Sequence, residues 1–159
     1  MAQKHDFERA FGFVLHETAR LLSKRFDQKA RAIGLTRAQC SVLFRLSMQE
    51  GMNQARLAEL MEMEPISLAR LVDRMEQAGW VERRLDPADR RARRLYMTAK
   101  AKPVYERMIA VGLETRGEAL AGISQADRDR IIDLLIQVRR NLSERSGTEP
   151  QRDNARARA

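Results

Sequence analysis

The residues with the most evident chemistry in this chain are arginines. Between positions 83 and 94 stand Arg83, Arg84, Arg90, Arg91, Arg93 and Arg94, with Asp86 and Asp89 among them. Like charges at this density repel one another unless an anionic partner neutralises them, and a narrow DNA minor groove is such a partner. Asp89 stands two residues before Arg91, where a carboxylate can hold the guanidinium through a bidentate pair. Such a brace lowers the entropy lost when Arg91 enters a groove. Upstream, Pro65, Ser67, Arg70, Asp73 and Arg74 fall on the outward side of a segment of helical period, with Ala69 beside them. The Arg70 guanidinium fork matches a guanine edge, Arg74 suits a phosphate, and Ala69 offers a methyl-sized contact. The other reading of Arg70 and Arg74 is pairing with Asp73, Glu76 or Gln77 on an exposed helix.

Other chemistry is thinly represented. The histidines are His5 and His16, and no Cys/His/carboxylate cluster has zinc spacing, so no metal is expected. Neither a nucleophile–base pairing nor a phosphate-cradling glycine loop is recognisable, so no catalytic residue and no cofactor are expected, and an enzyme is the least favoured class. The single cysteine, Cys40, sits in an apolar helical stripe and reads as a small buried hydrophobe. Thiol-based redox sensing through Cys40 is the alternative function.

Composition bounds the rest. The 159 residues carry a net charge of +8, a field that attracts phosphate backbones and anionic membranes alike. No apolar run approaches the roughly 18 residues of a membrane span, and residues 1–11 lack the apolar centre of a signal peptide. A reducing cytoplasmic setting without membrane association is therefore expected. Aromatics make up only 5% of the chain, so the core must be aliphatic, which favours helices.

The elements that position the arginines can be read from period and punctuation. Residues 6–32 form a long amphipathic helix ended by Gly34, with Phe7, Phe11, Val14, Leu15, Leu21, Leu22 and Phe26 on its apolar side. Thr36 caps a second helix carrying Cys40, Val42, Leu43, Leu46 and Met48, closed by Gly51. Asn53 caps a short third helix, and Pro65 opens a fourth that stops at Gly79 and buries Leu68, Leu71, Val72 and Met75. The period then changes to 2 around Val81, Arg83 and Leu85 and again around Leu95 and Met97, a hairpin with its tip at residues 86–92. Thr98 can cap a fifth helix, although Pro103 comes late for a first-turn proline, so the helix start is irregular or later. Its packing positions are Val104, Met108, Val111 and Leu120. Ser124 with Asp127 caps a sixth helix with the stripe Ile131, Leu134, Leu135, Val138 and Leu142. Residues 146–159 lack apolar periodicity and read as a disordered basic tail.

Two helices joined by a short turn, followed by a hairpin, make a winged helix-turn-helix, whose second helix fits a major groove while the wing reaches the minor groove. The expected fold class is mainly α with a small β-hairpin wing, with a helical dimerisation region beside the winged helix-turn-helix. At LTRAQCSVLFRL, NQARLAELMEMEPISLARLVDRMEQAGWVERR and DPADRRARRLYMT the chain closely resembles the MarR family of bacterial regulators. These pieces run almost continuously over residues 35–98.

The resemblance implies a homodimer of six-helix chains, joined through the first, fifth and sixth helices and bound to a near-palindromic operator. It implies a DNA-binding domain at 35–98 and a dimerisation region at 1–34 and 99–145. Its DNA contacts fall on Gln39, Pro65, Ser67, Ala69, Arg70 and Arg74, and its wing pair on Asp89 and Arg91. Arg93 is a further wing candidate from the arginine run. The family often has Thr or Ser where Ala69 stands, and usually Gly where Ala101 stands. It also implies a repressor released by a small molecule such as an aromatic acid, a phenolic compound or an acyl-CoA. Phe11, Leu15, His16, Cys40 and Phe44 are the candidate lining of that ligand's pocket.

Overall fold

The structure is a computed structural model, and it describes residues 7–89 and 91–145. Arg90 and the tail at 146–159 lie outside these residues. Two compact units divide the chain, the first ending at Ala119 and the second beginning at Leu120.

In the first unit a 3-10 turn (Phe7–Arg9) precedes α1 (Phe11–Ala32), and α2 (Arg37–Met48), β1 (Met52–Asn53), α3 (Gln54–Leu60) and α4 (Pro65–Gln77) follow. β2 (Val81–Leu85) and β3 (Arg93–Met97) form the hairpin, and a 3-10 turn (Ala99–Ala101) leads into α5 (Lys102–Ala119). The sheet is antiparallel in the order β1-β3-β2, with Met52 opposite Leu95 and Arg83 opposite Leu95 on the other side. β1 escapes a reading by period because two residues cannot express one. It exists because Gly51, at φ 69°, turns the chain and donates its N–H to the Leu95 carbonyl at 3.0 Å. A Cβ there would lie 2.8 Å from the Tyr96 hydroxyl, so the position demands glycine twice over. Gly51 therefore starts a strand, whereas α2 has already ended at Met48.

The caps follow from side-chain chemistry. Thr36 and Gln39 form a reciprocal capping box at α2, and the Asn53 side chain accepts the Ala55 N–H at 2.8 Å at α3. Thr98 departs from expectation: its hydroxyl donates to the Gly79 carbonyl at 2.5 Å and caps no helix. The 3-10 turn delays α5 to Lys102, which places Pro103 in the first turn, where a missing N–H costs nothing. Ala101 is fully buried in that turn.

One aliphatic core joins α1 through α5 to the sheet, with Leu35, Leu43, Leu46, Leu57, Leu68, Met75 and Leu95 fully buried. Cys40 belongs to it, but Met48, expected on the same stripe, is 75% exposed because α2 ends there. α5 is tied to α1 by Arg25 and Lys29, which both reach Glu118, and their hydrogen bonds hold its carboxyl down to about 2. Arg37 pairs with Asp27 at 2.5 Å, fixing the start of α2 against α1.

The second unit consists of the turn after α5 and α6 (Gln125–Arg145). The Asp127 N–H donates to the Ser124 hydroxyl at 3.2 Å, and that hydroxyl donates to the Asp127 carboxylate at 2.7 Å, the expected cap. Arg128 donates to the carbonyls of Ile123 and Leu120, both at 2.8 Å. Ile131, Ile132, Leu134, Leu135 and Leu142 are all exposed, and Leu120 lies beyond the end of α5.

Leu43 has no accessible surface and no polar atom with which to compensate for truncation. Leu43→Ala is expected to lower the free energy of unfolding by about 2–5 kcal/mol in a urea titration, through lost burial and an unfilled cavity.

Candidate nucleic-acid interface

The helix-turn-helix is α3, the turn through Glu64, and α4. The turn is tight because Glu62 takes φ 50° and the Met63 N–H reaches back to the Ala58 carbonyl at 3.0 Å. Arg45 of α2 donates to the Leu60 carbonyl at 2.9 Å, capping the end of α3 from below. Pro65 then occupies the first position of α4, as its missing N–H allows. At the far end Gly79, at φ 74°, donates to Glu76 O at 2.8 Å, and Trp80 N–H donates to Met75 O at 2.9 Å. That pair of bonds stops α4 sharply and delivers the chain straight into β2.

α4 buries Leu68, Leu71, Val72 and Met75. Its outward face holds Pro65, Ser67, Arg70 and Arg74, all exposed, with Ala69 half-buried at its margin. Ile66 is also exposed there, a residue the sequence analysis placed in neither set. The exposed-helix reading of Arg70 and Arg74 does not describe this face. Asp73 and Glu76 are taken by Arg83, and among the described residues neither Arg70 nor Arg74 has a side-chain partner.

Arg83 is the joint between recognition helix and wing. Its guanidinium donates to Asp73 at 2.6 Å, to Glu76 at 2.5 Å, to the Ala69 carbonyl at 3.2 Å and to Gln54 Oε1 at 3.0 Å. Its own backbone N–H also donates to Glu76 at 3.1 Å. One side chain of β2 thus joins α3 and α4, and its planar fork is what lets it satisfy acceptors in several directions. These partners are far from Arg83 in sequence, so only the fold reveals the network.

The other wing arginines divide by role. Arg94 donates to Asp86 at 2.7 Å, and the buried Asp86 also accepts the Ala88 N–H at 2.9 Å. These bonds, led by Arg94, hold the Asp86 carboxyl below its ordinary range. Arg84 pairs with Glu82 and lies 4.2 Å from the centre of the Tyr96 ring. Asp89 does brace Arg91, but by accepting its backbone N–H at 2.9 Å and not its guanidinium. A turn only two residues long suits the main chain better than the distant end of an arginine. The Arg91 side chain is exposed and has no partner among the described residues. Arg93 is exposed at the start of β3, with a long 3.4 Å contact to the Ala92 carbonyl.

Gln39 is half-buried, and its amide oxygen accepts from the Thr36 N–H at 2.9 Å, which leaves its amide N–H groups for any further contact. The candidate pocket residues are dispersed. Cys40 is buried in the core, while Phe11, Leu15 and Phe44 are exposed. Only His16 lines a cleft of about 630 Å³ along α1, with Arg20, Lys24, Asp27, Arg31 and Arg37 among its other lining residues. No cluster of three or more metal-ligating side chains occurs among the described residues. No helix among them is long and apolar enough to cross a membrane.

A helix-turn-helix with a basic wing hinged to its second helix defines the class: a winged helix-turn-helix protein. Residues 35–92 match the model of the MarR family. A crystal structure of MarR superposes with a TM-score of 0.76 at 20% identity, covering 87% of this chain and 94% of that one. The transcriptional regulator SlyA matches with a TM-score of 0.68 at 29% identity, covering 82% and 92%. The transcriptional repressor CouR, bound to a 23-mer DNA duplex, matches with a TM-score of 0.73 at 22% identity, covering 87% and 98%. The chain thus has the fold of these proteins, and its match to the MarR family model lies over residues 35–92.

Arg83→Met keeps the aliphatic stem but removes every donor, leaving Asp73 and Glu76 without their shared cation. It is expected to cost about 1.5–3 kcal/mol of stability in urea titration, the scale of charge-assisted hydrogen bonds. Arg83→Lys should recover only part of it, because an ammonium lacks the fork.

Proposed function

We propose that this chain acts in the cytoplasm as a homodimeric repressor on a near-palindromic operator and is released from it by a small anionic ligand. The observation that carries the reading is the division of the basic residues. Arg83, Arg84 and Arg94 are held by Asp73, Glu76, Glu82 and Asp86, while Arg70, Arg74 and Arg91 project from the surface without a described partner. In this reading Arg70, with Pro65, Ser67 and Ala69, reads base edges and Arg74 clamps a phosphate. Arg91 probes the minor groove, with its backbone set by Asp89, and Arg93 and Gln39 contact the DNA backbone.

Dimerisation is supported by the apolar surface the chain leaves uncovered. On α1, Phe11 is 61% exposed, Phe13 50% and Leu21 54%, and α6 exposes its apolar stripe. Surface of this kind asks for a partner, and an identical chain gives the two-fold symmetry of a palindromic site. The dimerisation region is then 1–34 with 99–145, and the DNA-binding domain 35–98. For the effector, the cleft along α1 is lined by His16, Lys24 and Arg31 together with Arg20, which Glu17 holds, and Arg37, which Asp27 holds. That balance suits a carboxylate or phosphate, as in an aromatic acid or an acyl-CoA. A ligand that prefers a dimer whose recognition helices are not about 34 Å apart must weaken DNA binding by linkage.

The test is fluorescence anisotropy with a duplex selected by the full-length protein from a randomised pool, at several salt concentrations. Affinity is expected to fall steeply with salt, and Arg74→Ala to reduce the salt slope by about 1 per half-site. Arg70→Ala should relax sequence preference. Binding indifferent to salt and to both substitutions would overturn the reading. Adding aromatic acids and CoA thioesters to the complex then tests release; no release by either class would remove the effector from it.

Redox control through Cys40 is disfavoured by its surroundings. The thiol is 4% exposed, and burial pushes it up to about 11, so the reactive thiolate is scarce at neutral pH. In the folded protein Cys40 should react with a disulfide reagent at least about tenfold more slowly than in urea. Equal rates would restore the redox alternative.

A further inference from the structure

We propose that Ile66 is a specificity-determining residue that reads the C5-methyl group of a thymine in the major groove. The inference rests on the reading of α4 as the recognition helix and adds a base preference to it. Ile66 is 70% exposed, the one large hydrophobic residue of α4 outside its buried stripe. With 3.6 residues per turn, the stripe of Leu68, Leu71, Val72 and Met75 has its centre almost diametrically opposite Ile66. The side chain therefore stands at the middle of the outward face, where nothing in the chain's own packing accounts for it.

Its neighbours along that face are polar. Arg70 follows one turn on, Asp73 two turns on and Gln77 three turns on. Asp73 is held by Arg83 at 2.6 Å, so its charge is compensated and the face remains compatible with DNA. Ile66 is also in the first turn, beside Pro65, and the N-terminal residues of a recognition helix are those that meet base edges.

The chemistry then selects the partner. Isoleucine has no donor or acceptor, so against a guanine, adenine or cytosine edge it would strip water from polar atoms and return no hydrogen bond. The thymine methyl is the one apolar group that a major-groove edge presents. Ile66 thus favours thymine by contact and disfavours the other bases by desolvation.

The experiment uses the full-length protein and the duplex it enriches from a randomised pool. Each thymine is replaced in turn by deoxyuridine, which lacks only the methyl. At one position per half-site the wild-type Kd should rise about fourfold, the scale of one buried methyl-sized group. With Ile66→Ala that penalty should vanish at the same position while the salt slope stays unchanged, since no phosphate contact is lost. Ile66→Gln, subjected to the same selection, should shift that position from thymine to adenine, whose edge a glutamine amide matches. An enriched site indifferent to every methyl, or an Ile66→Ala protein with the wild-type penalty, overturns the assignment and leaves DNA binding standing. A pool from which the wild-type protein enriches nothing overturns both.

Discussion

The geometry of the surface formed by α4 and the hairpin depends on one guanidinium. Arg83 leaves the middle of β2 and ends among Gln54, Asp73, Glu76 and the Ala69 carbonyl. A hairpin attached to a helix only through a short turn would pivot about that turn. Four acceptors on two helices, satisfied by a planar group whose side chain is mostly shielded, remove that freedom. The angle between α4 and the hairpin is thereby set by the chain's own contacts. Preorganisation of this kind reduces the ordering cost on binding.

The same interaction decides what the surface charges can do. An acidic pair, Asp73 and Glu76, sits on the recognition helix, where bare carboxylates would repel phosphates. Their pairing with Arg83 compensates them and leaves Arg70 and Arg74 facing outward. Within the wing, Asp86 plays the corresponding part, holding Arg94 and the turn at Ala88 together. The cluster of arginines is therefore two populations. Some build the wing, and Arg91, at the tip and with only its backbone fastened, is left for a ligand.

A second constraint is the uncovered apolar surface. Half-exposed Phe13 on α1 and exposed Leu134 on α6 are poor choices for helices meant to face water permanently. Such surface and the DNA-facing surface serve different ends: one asks for another chain, and the other is polar and basic apart from Ile66. α1 joins the two, because the cleft that holds His16 and the cations runs along it while Arg37 at that cleft begins α2. In the proposed reading, a ligand there would touch the elements on which a change in half-site spacing must act.

What the sequence determined by itself is what local rules govern. The helices after Thr36, Asn53 and Ser124, the proline start of α4, its stop at Gly79 and the two long strands all depend on residues within a turn of one another. The buried stripe of α4 follows from period alone, and so does the exposure of Arg70 and Arg74. Tertiary structure decided the rest. β1 is too short to have a period and exists through Gly51 and its contact with β3. Thr98 is drawn from capping to the Gly79 carbonyl across the base of the hairpin. The division of the arginines was invisible for the same reason: Arg83, Arg91 and Arg94 are chemically identical, and the partners of Arg83 and Arg94 lie on other elements or at other distances along the hairpin. Residue type fixes what a side chain can bond. Only the packing of helix against strand fixes which acceptors lie within about 3 Å of it.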